Sequence, residues 1–178
     1  MIETLALVPA LTRPDLLAPP VAAALHGWEG WEPVERIAVA EIDPEVADTA
    51  AFAERYGVPL EESANCVVIA GRRGGEQRQL ACVVLATTRA DVNGVVRRRI
   101  DARKASFAPM DLAVAATGME YGGITPVGLP EGWPLLVDEA VVTRPYVVVG
   151  SGLRRSKLVL AGADLARLPG AEVLALTG

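Results

Sequence analysis

The sequence predicts a mixed α and β fold in which helices pack outside a mixed β-sheet. Strand-like runs occur both as an adjacent pair and singly between helical segments, so antiparallel and parallel neighbours should share the sheet. The 178 residues are 51% hydrophobic and 22% charged, which supplies one apolar core and excludes a disordered or fibrous chain. The 17 glycines and 13 prolines indicate many tight turns, which favours this fold over a helical bundle.

Two sequence signals define the predicted elements. Apolar runs bounded by Gly, Pro, Asn or Asp indicate strands, and apolar residues at helical spacing between a capping residue and a glycine indicate helices. Strands are predicted at residues 34–42, 65–70, 79–86, 102–107, 135–137, 146–149, 157–160 and 172–176. Helices are predicted as short pieces within 12–27 and at 44–56, 92–99, 109–117 and 164–168, and Asp91 is the predicted cap of the one at 92–99. The second and third strands should form a hairpin deep in the sheet.

One domain is expected, because no polar linker long enough to divide the chain occurs. Residues 1–33 should form an N-terminal extension packed on a domain of residues 34–178. The chain has neither a signal-peptide pattern nor the roughly 18 apolar residues that span a bilayer, so a cytoplasmic protein without a membrane partner is expected. Cys66 and Cys82 lie in apolar runs and are assigned to packing.

The net charge of −5 is unevenly distributed along the chain. Residues 1–62 carry 12 acidic and 3 basic residues, whereas residues 63–178 carry 10 acidic and 14 basic ones. Grouped cations can bind phosphates even on an acidic protein, and ordinary solvation is the alternative. The predicted RNA-binding residues are Arg97, Arg98, Arg99, Arg103, Arg154, Arg155 and Lys157.

Standard catalytic sets are missing from the sequence. His26 is the single histidine and lies far from any nucleophile motif, so a Ser-His-Asp or Cys-His hydrolase is not expected and a structural role is assigned to it. Neither a P-loop nor a dinucleotide-binding glycine pattern occurs. No cofactor and no metal site are expected.

Two glycine-bearing loops, at residues 122–126 and 150–155, follow or join predicted strands. Glycine permits positive φ and close approach, so the backbone N–H groups of such loops can face an oxyanion or a phosphate. A simple tight-turn role is the alternative at both loops.

Five segments in a fixed order resemble a known family. They are Glu41-x-Asp43-Pro44, Asn65-Cys66-Val67-Val68, Ala102-Arg103-Lys104-x4-Pro109, residues 122–128 with Gly122-x-x-x-Pro126, and residues 149–155. Together they resemble the YbaK family of aminoacyl-tRNA deacylases, which includes the editing insertion of bacterial prolyl-tRNA synthetases. The similarity extends over about residues 34–176, and residues 1 to about 33 have no counterpart.

The resemblance implies a barrel-like mixed sheet surrounded by helices. It also implies hydrolysis of the ester between tRNA and a wrongly attached small amino acid such as Ala, Ser, Cys or Pro, with the acceptor end of mischarged tRNA as the partner. The family works without a conventional triad, through backbone groups and the substrate's own hydroxyl or thiol. The implied substrate-binding residues, expected to surround one concave site together with residue 65, are Gly122, Gly123, Thr125, Pro126, Gly150, Ser151 and Gly152.

One departure concerns charge. The family's functional lysine stands at the start of the central strand, where this chain has Asn65, and asparagine supplies no positive charge. Lys104 matches another basic position of the family and is a candidate to replace the missing cation. Asn65 and Lys104 are therefore the predicted catalytic residues. The alternatives are a weakened module that binds an aminoacyl or nucleotide end without turnover, and a hydrolase of another small ester or amide.

Overall fold

The computed structural model describes residues 2, 4–28 and 32–177. The strands are β1 (Val8–Pro9), β2 (Ala38–Glu41), β3 (Ala64–Arg73), β4 (Glu76–Leu85), β5 (Lys104–Phe107), β6 (Leu135–Asp138), β7 (Val147–Gly150), β8 (Ser156–Leu160) and β9 (Ala171–Leu174). The α-helices are α1 (Pro19–His26), α2 (Thr49–Tyr56), α3 (Arg97–Arg99), α4 (Met110–Thr117), α5 (Glu139–Val142) and α6 (Gly162–Leu165). None of these helices has the length and apolarity that crossing a bilayer requires.

The strands form two sheets. One is antiparallel, in the order β1-β2-β8-β7, and the other is mixed, in the order β5-β3-β4-β6-β9, with β6 parallel to both β4 and β9. The mixed α and β fold is thus confirmed. Among the described residues, the sheets meet at one parallel bridge, between Ser63, just before β3, and Val148 in β7. In the described part of the chain the sheets do not close into one barrel, so the barrel-like expectation is not confirmed.

The largest apolar cluster contains residues from both sheets and from the N-terminal region. Leu16 and the α1 residues Val21 and Leu25 are buried in it beside Val149 and Leu158. His26 ends α1 at the surface. Of the predicted N-terminal extension, residues 1, 3 and 29–31 lie outside the described residues.

Several predicted boundaries move because local capping decides them. The strand predicted at 34–42 is shortened to β2, because a 3₁₀ turn occupies Glu32–Arg36. The helix predicted at 44–56 begins as a separate 3₁₀ turn, and α2 starts afresh after Asp48, whose carboxylate accepts from the N–H groups of Ala50 and Ala51. The last strand and the last helix each begin and end earlier than predicted.

The hairpin of β3 and β4 is confirmed and is longer than predicted. Its strands pair over ten residues each, and Gly74 and Gly75 alone form the turn, with φ values of 56° and 88°. Two successive positive φ values are what a two-residue hairpin turn requires. The predicted cap at Asp91 is also confirmed, since its carboxylate accepts from the N–H groups of Gly94 and Val95.

Candidate active site

A cavity of about 640 Å³ lies where the two sheets meet. Asn65 and Cys66 of β3, Gly150 of β7 and Lys157 of β8 contribute to its walls. The side chains of α2 and the loop around Gly122 enclose it further. The cavity therefore collects residues that are up to 110 positions apart in the sequence, from Ala47 to Lys157.

Strand register aligns three of these residues. Asn65 and Gly150 each lie two positions beyond the parallel bridge between Ser63 and Val148, and Gly150 pairs with Lys157 across β7 and β8. Positions two apart on a strand share a face, so Asn65, Gly150 and Lys157 form one row across three strands. At a strand spacing of about 4.8 Å, the backbones of the outer two residues are roughly 10 Å apart.

Asn65 is held in a fixed orientation. The Thr49 hydroxyl, at the first turn of α2, donates to Asn65 Oδ1 over 2.7 Å. The Asn65 Nδ2 hydrogens have no acceptor in the part of the chain that the structure describes, so they remain available to a ligand. Thr49 was missed by the sequence interpretation, because its contact with β3 depends on tertiary packing.

Lys157 is a buried cation on the opposite wall. Its residue surface is 7% exposed, Nζ donates to the Ala47 carbonyl over 2.9 Å, and the Phe52 ring centroid lies 5.4 Å from Nζ. Burial lowers the pKa of Lys157 from 10.5 to about 8, and the charge of Asp48 partly offsets this while that of Arg154 adds to it. Lys157 is too deeply buried to join an RNA-binding surface, and the apolar run around it in β8 was the sequence signal for this.

The two glycine loops pack against each other, and Gly122 and Gly150 line the cavity. A Cβ on Gly150 would lie 2.3 Å from the Gly123 carbonyl oxygen, so glycine is required for this approach. The N–H of Gly152 donates to Gly123 O, and the N–H of Gly123 donates to Glu120 O. These two N–H groups are occupied, whereas that of Gly122 has no backbone acceptor among the described residues.

The other five predicted substrate-binding residues, Gly123, Thr125, Pro126, Ser151 and Gly152, do not line this cavity. Ser151 is fully buried, and its hydroxyl bonds to Ser156 Oγ over 2.7 Å and accepts from the Leu153 N–H, which fixes the loop. Thr125 is also fully buried. Pro126 borders a separate cavity of about 800 Å³ that also includes Trp133.

Cysteine chemistry is suppressed at this site. Burial raises the pKa of the Cys66 thiol, and it raises that of Cys82 to about 12. A thiol rather than a thiolate is a poor nucleophile, so both residues act in packing. Within the described residues, no three His, Cys, Asp or Glu side chains come together to hold a metal ion.

The structure divides the predicted RNA-binding residues between two regions. Arg97, Arg98 and Arg103 lie together with Arg73 around one surface depression, while Arg99 pairs with Glu172. Arg154 lies at the mouth of the cavity, where its guanidinium donates to the carbonyls of Tyr121 and Pro44 and stacks on the Tyr121 ring. Arg155 donates to the Asp15 carbonyl.

Lys104 belongs to the first of these regions. It is exposed and pairs with Arg72, seven residues along β3 from Asn65. Seven strand residues span roughly 23 Å. Lys104 therefore lies too far from Asn65 to contact the same reacting atoms, and the proposed replacement of the missing cation by Lys104 does not fit this geometry.

Comparison with known proteins decides the family. Residues 43–168 match the aminoacyl-tRNA editing domain family. The chain belongs to this family. Two solved structures share its fold, each with a TM-score of 0.75 over 90% of this chain. One is an epitope-presenting scaffold protein, which is 24% identical and is matched over 97% of its own length. The other is a candidate trans-editing enzyme for prolyl-tRNA synthetase, which is 22% identical and is matched over 96% of its own length. The editing domain begins at Asp43 and so includes every wall of the cavity described above.

Proposed function

We propose that this editing domain hydrolyses the ester that joins a small, wrongly attached amino acid to the terminal adenosine of tRNA, acting as a free-standing protein in the cytoplasm. The observation that carries the proposal is a set of hydrogen-bond donors that line one cavity. The Asn65 amide and the Lys157 ammonium each keep hydrogens that no described residue accepts, and the Gly122 N–H has no backbone acceptor among those residues. Donors that converge on one point stabilise the negative oxygen of an acyl-transfer intermediate.

Hydrolysis here needs no nucleophilic side chain. The oxygen of a water molecule bonds to the ester carbonyl carbon, the carbonyl oxygen takes the negative charge, and the bond from that carbon to the ribose oxygen then breaks. One proton from the water passes to the ribose oxygen, and the products are the free amino acid and tRNA with an intact terminal hydroxyl. The raised pKa of the Cys66 thiol keeps it protonated, which is consistent with a direct attack by water.

A basic surface supports RNA as the partner. Arg72, Arg97, Arg103 and Lys104 border one depression, and Arg73 and Arg98 extend it around the end of the hairpin. Phosphates of an acceptor stem require cations and no reading of bases. Phe107, 60% exposed, and Leu112 border the same depression, and Met110 at the start of α4 reaches the cavity. We place the path of the acceptor end along β5 and α4.

The second candidate function is binding without turnover. It is favoured by Asn65, which leaves the family's usual lysine position without a charge. In that case the cavity would bind an aminoacyl or nucleotide end, and this end would dissociate chemically unchanged. A hydrolase of another small ester or amide is a weaker alternative, because the extended basic surface would then have no use.

A deacylation screen separates these functions. Purified protein is mixed with tRNA charged with Ala, Ser, Cys or Pro, and release of the amino acid is followed beside a protein-free control. Binding of an amide-linked, non-hydrolysable aminoacyl-tRNA is measured in parallel. Editing predicts rapid loss of at least one ester, whereas a binding module predicts affinity for the amide with every ester released at the control rate. Turnover of simple esters but of no aminoacyl-tRNA would favour a hydrolase of another small ester or amide.

A further inference from the structure

We infer that Lys157 is the catalytic cation of this cavity, donating from Nζ to the ester carbonyl oxygen as that oxygen becomes negative. The inference rests on the proposed function and assigns the charge to β8, whereas the family resemblance places it at residue 65 on β3. It replaces both earlier assignments, Lys104 as the catalytic cation and Lys157 as part of an RNA-binding surface.

The ammonium of Lys157 is only partly used by the protein. Of its three N–H bonds, one donates to the Ala47 carbonyl, and the Phe52 ring lies against the group. The described residues provide no acceptor for the other two, although the side chain is buried and lines the cavity. A carbonyl oxygen bound in the cavity would be an acceptor for them.

The neighbouring cations differ from Lys157 in burial and position. Arg154 also lines the cavity, but its guanidinium donates to two backbone carbonyls and stacks on Tyr121. Lys104 and Arg72 lie at the other end of β3. Arg154 keeps further N–H groups without an acceptor, but it is only half-buried, so among the described residues Lys157 is the buried cation of this cavity.

A purely structural role explains Lys157 poorly. Burying an ammonium is costly unless a carboxylate pairs with it, and no carboxylate of the described residues lies within ion-pair distance of Nζ. The other charged or titratable groups on the cavity walls are Asp48, Cys66, Tyr121 and Arg154, and the carboxylate of Asp48 is used to cap α2. A Met or Leu could hold β8 against Phe52 without this cost.

Register explains how a lysine can act from β8. Asn65 and Lys157 stand at the two ends of one row across three strands, with Gly150 between them. The carbonyls of Gly123 and Ile124 cover Gly150 itself, so long side chains from the two ends meet in the cavity beside this loop, which Gly122 also lines. A lysine at residue 65 and a lysine at residue 157 can therefore bring an ammonium into the same cavity from opposite walls.

The test moves the charge across the cavity. Deacylation is measured under single-turnover conditions, over a range of enzyme concentrations, for wild type, Lys157→Met, and Asn65→Lys combined with Lys157→Met. Arg89→Met is the matched control, because it removes one exposed cation outside the cavity. We expect Lys157→Met to lower the maximal rate constant by about 10² to 10³ with little change in half-saturating concentration. The double variant should regain at least ten-fold, and Arg89→Met should match wild type.

The outcomes distinguish the inference from the function on which it rests. Wild-type turnover that survives in Lys157→Met overturns the inference and leaves the editing function in place. A change confined to the half-saturating concentration overturns it too, because the lysine would then hold a phosphate. Loss of activity that the double variant does not restore, together with a lower melting temperature of Lys157→Met, indicates a structural lysine. Absence of wild-type turnover on every charged tRNA contradicts the proposed function itself.

Discussion

Asn65 and Lys157 face one cavity from β3 and β8, with the side-chain-free Gly150 between them in β7. The glycine allows the backbone of Gly123 and Ile124 to cross the sheet at this point. An amide, an ammonium and the backbone of Gly122 therefore line the same cavity from three separate segments. This relationship supports the proposed chemistry, and each part of it can be tested by substitution.

Lys157→Met should stabilise the protein at neutral pH. The folded state lowers the pKa of Lys157 from 10.5 to about 8, so folding disfavours its charged form. Removing the charge should therefore add about 3 kcal/mol to the free energy of unfolding. Loss of the hydrogen bond to Ala47 and of the contact with the Phe52 ring offsets part of this gain. Denaturant unfolding at pH 7 should show a higher free energy of unfolding for the variant.

The same titration gives this prediction a pH dependence. Between pH 8 and 10.5 the unfolded wild-type chain retains a proton on Lys157 that the folded chain has lost, so the free energy of unfolding rises with pH in this window. Lys157→Met lacks this contribution. Its advantage over wild type should therefore shrink as the pH increases, and an advantage that is constant or absent from pH 7 to 10.5 would contradict the assigned environment.

Thr49→Val should lower deacylation by about five-fold, because it removes the hydroxyl that holds Asn65 Oδ1, and such a bond contributes about 1 kcal/mol. Thr49→Ser keeps the hydroxyl and serves as the control. Single-turnover rates measure the effect, and unfolding curves monitor the fold. Equal rates for the Val and Ser variants would show that the orientation of Asn65 is unimportant.

Gly150→Ala should destabilise the fold by about 2 kcal/mol or more. The added Cβ would lie 2.3 Å from Gly123 O and 2.7 Å from Ile124 O, and backbone atoms cannot yield as a flexible side chain does. Gly27→Ala is the control, because its Cβ would meet nothing closer than 3.4 Å. Thermal unfolding of the two variants compares them, and a Gly150→Ala protein as stable as wild type would argue against the close packing of the loops.

Salt dependence tests the basic surface. Arg98→Gln combined with Arg103→Gln removes two exposed cations from it, and Arg36→Gln combined with Arg89→Gln removes two exposed cations outside it. Each lost phosphate contact should reduce the slope of log affinity against log salt by about 0.7 to 0.9. Binding of tRNA, measured from low to moderate salt, should change only for the first pair. Affinity that does not vary with salt would exclude a phosphate-binding surface.

Local signals were sufficient for much of the fold. The long apolar runs predicted the hairpin of β3 and β4, and Asp91 was correctly identified as a cap, because each depends on residues close in sequence. The helix expected at 44–56 was interrupted by a second cap, Asp48, which the periodicity did not reveal. Whether the two sheets close into a barrel, and the position of β7 beside β3, depend on tertiary packing. Signals local in sequence therefore could not predict them.

The candidate site was predicted only in part. Asn65, Gly122 and Gly150 were identified and do line the cavity. Lys157 was grouped with Arg154 and Arg155 because they are neighbours in the sequence, yet β8 is buried and Arg155 is exposed. Ser151 was assigned to substrate binding, but its hydroxyl bonds to Ser156 instead. The sequence does not show that the folded loop brings these two hydroxyls together.

The most direct test of the central claim is an NMR titration of the lysine side chains. The chain has two lysines, so ¹³Cε labelling gives two signals, and Lys104→Arg assigns them. We expect the Lys157 signal to titrate with a pKa of about 8, and a non-hydrolysable aminoacyl-adenosine amide to shift that signal and leave that of Lys104 in place. A Lys157 signal that does not respond to saturating ligand, while the protein binds the ligand, would contradict the claim that the acyl group lies between Asn65 and Lys157.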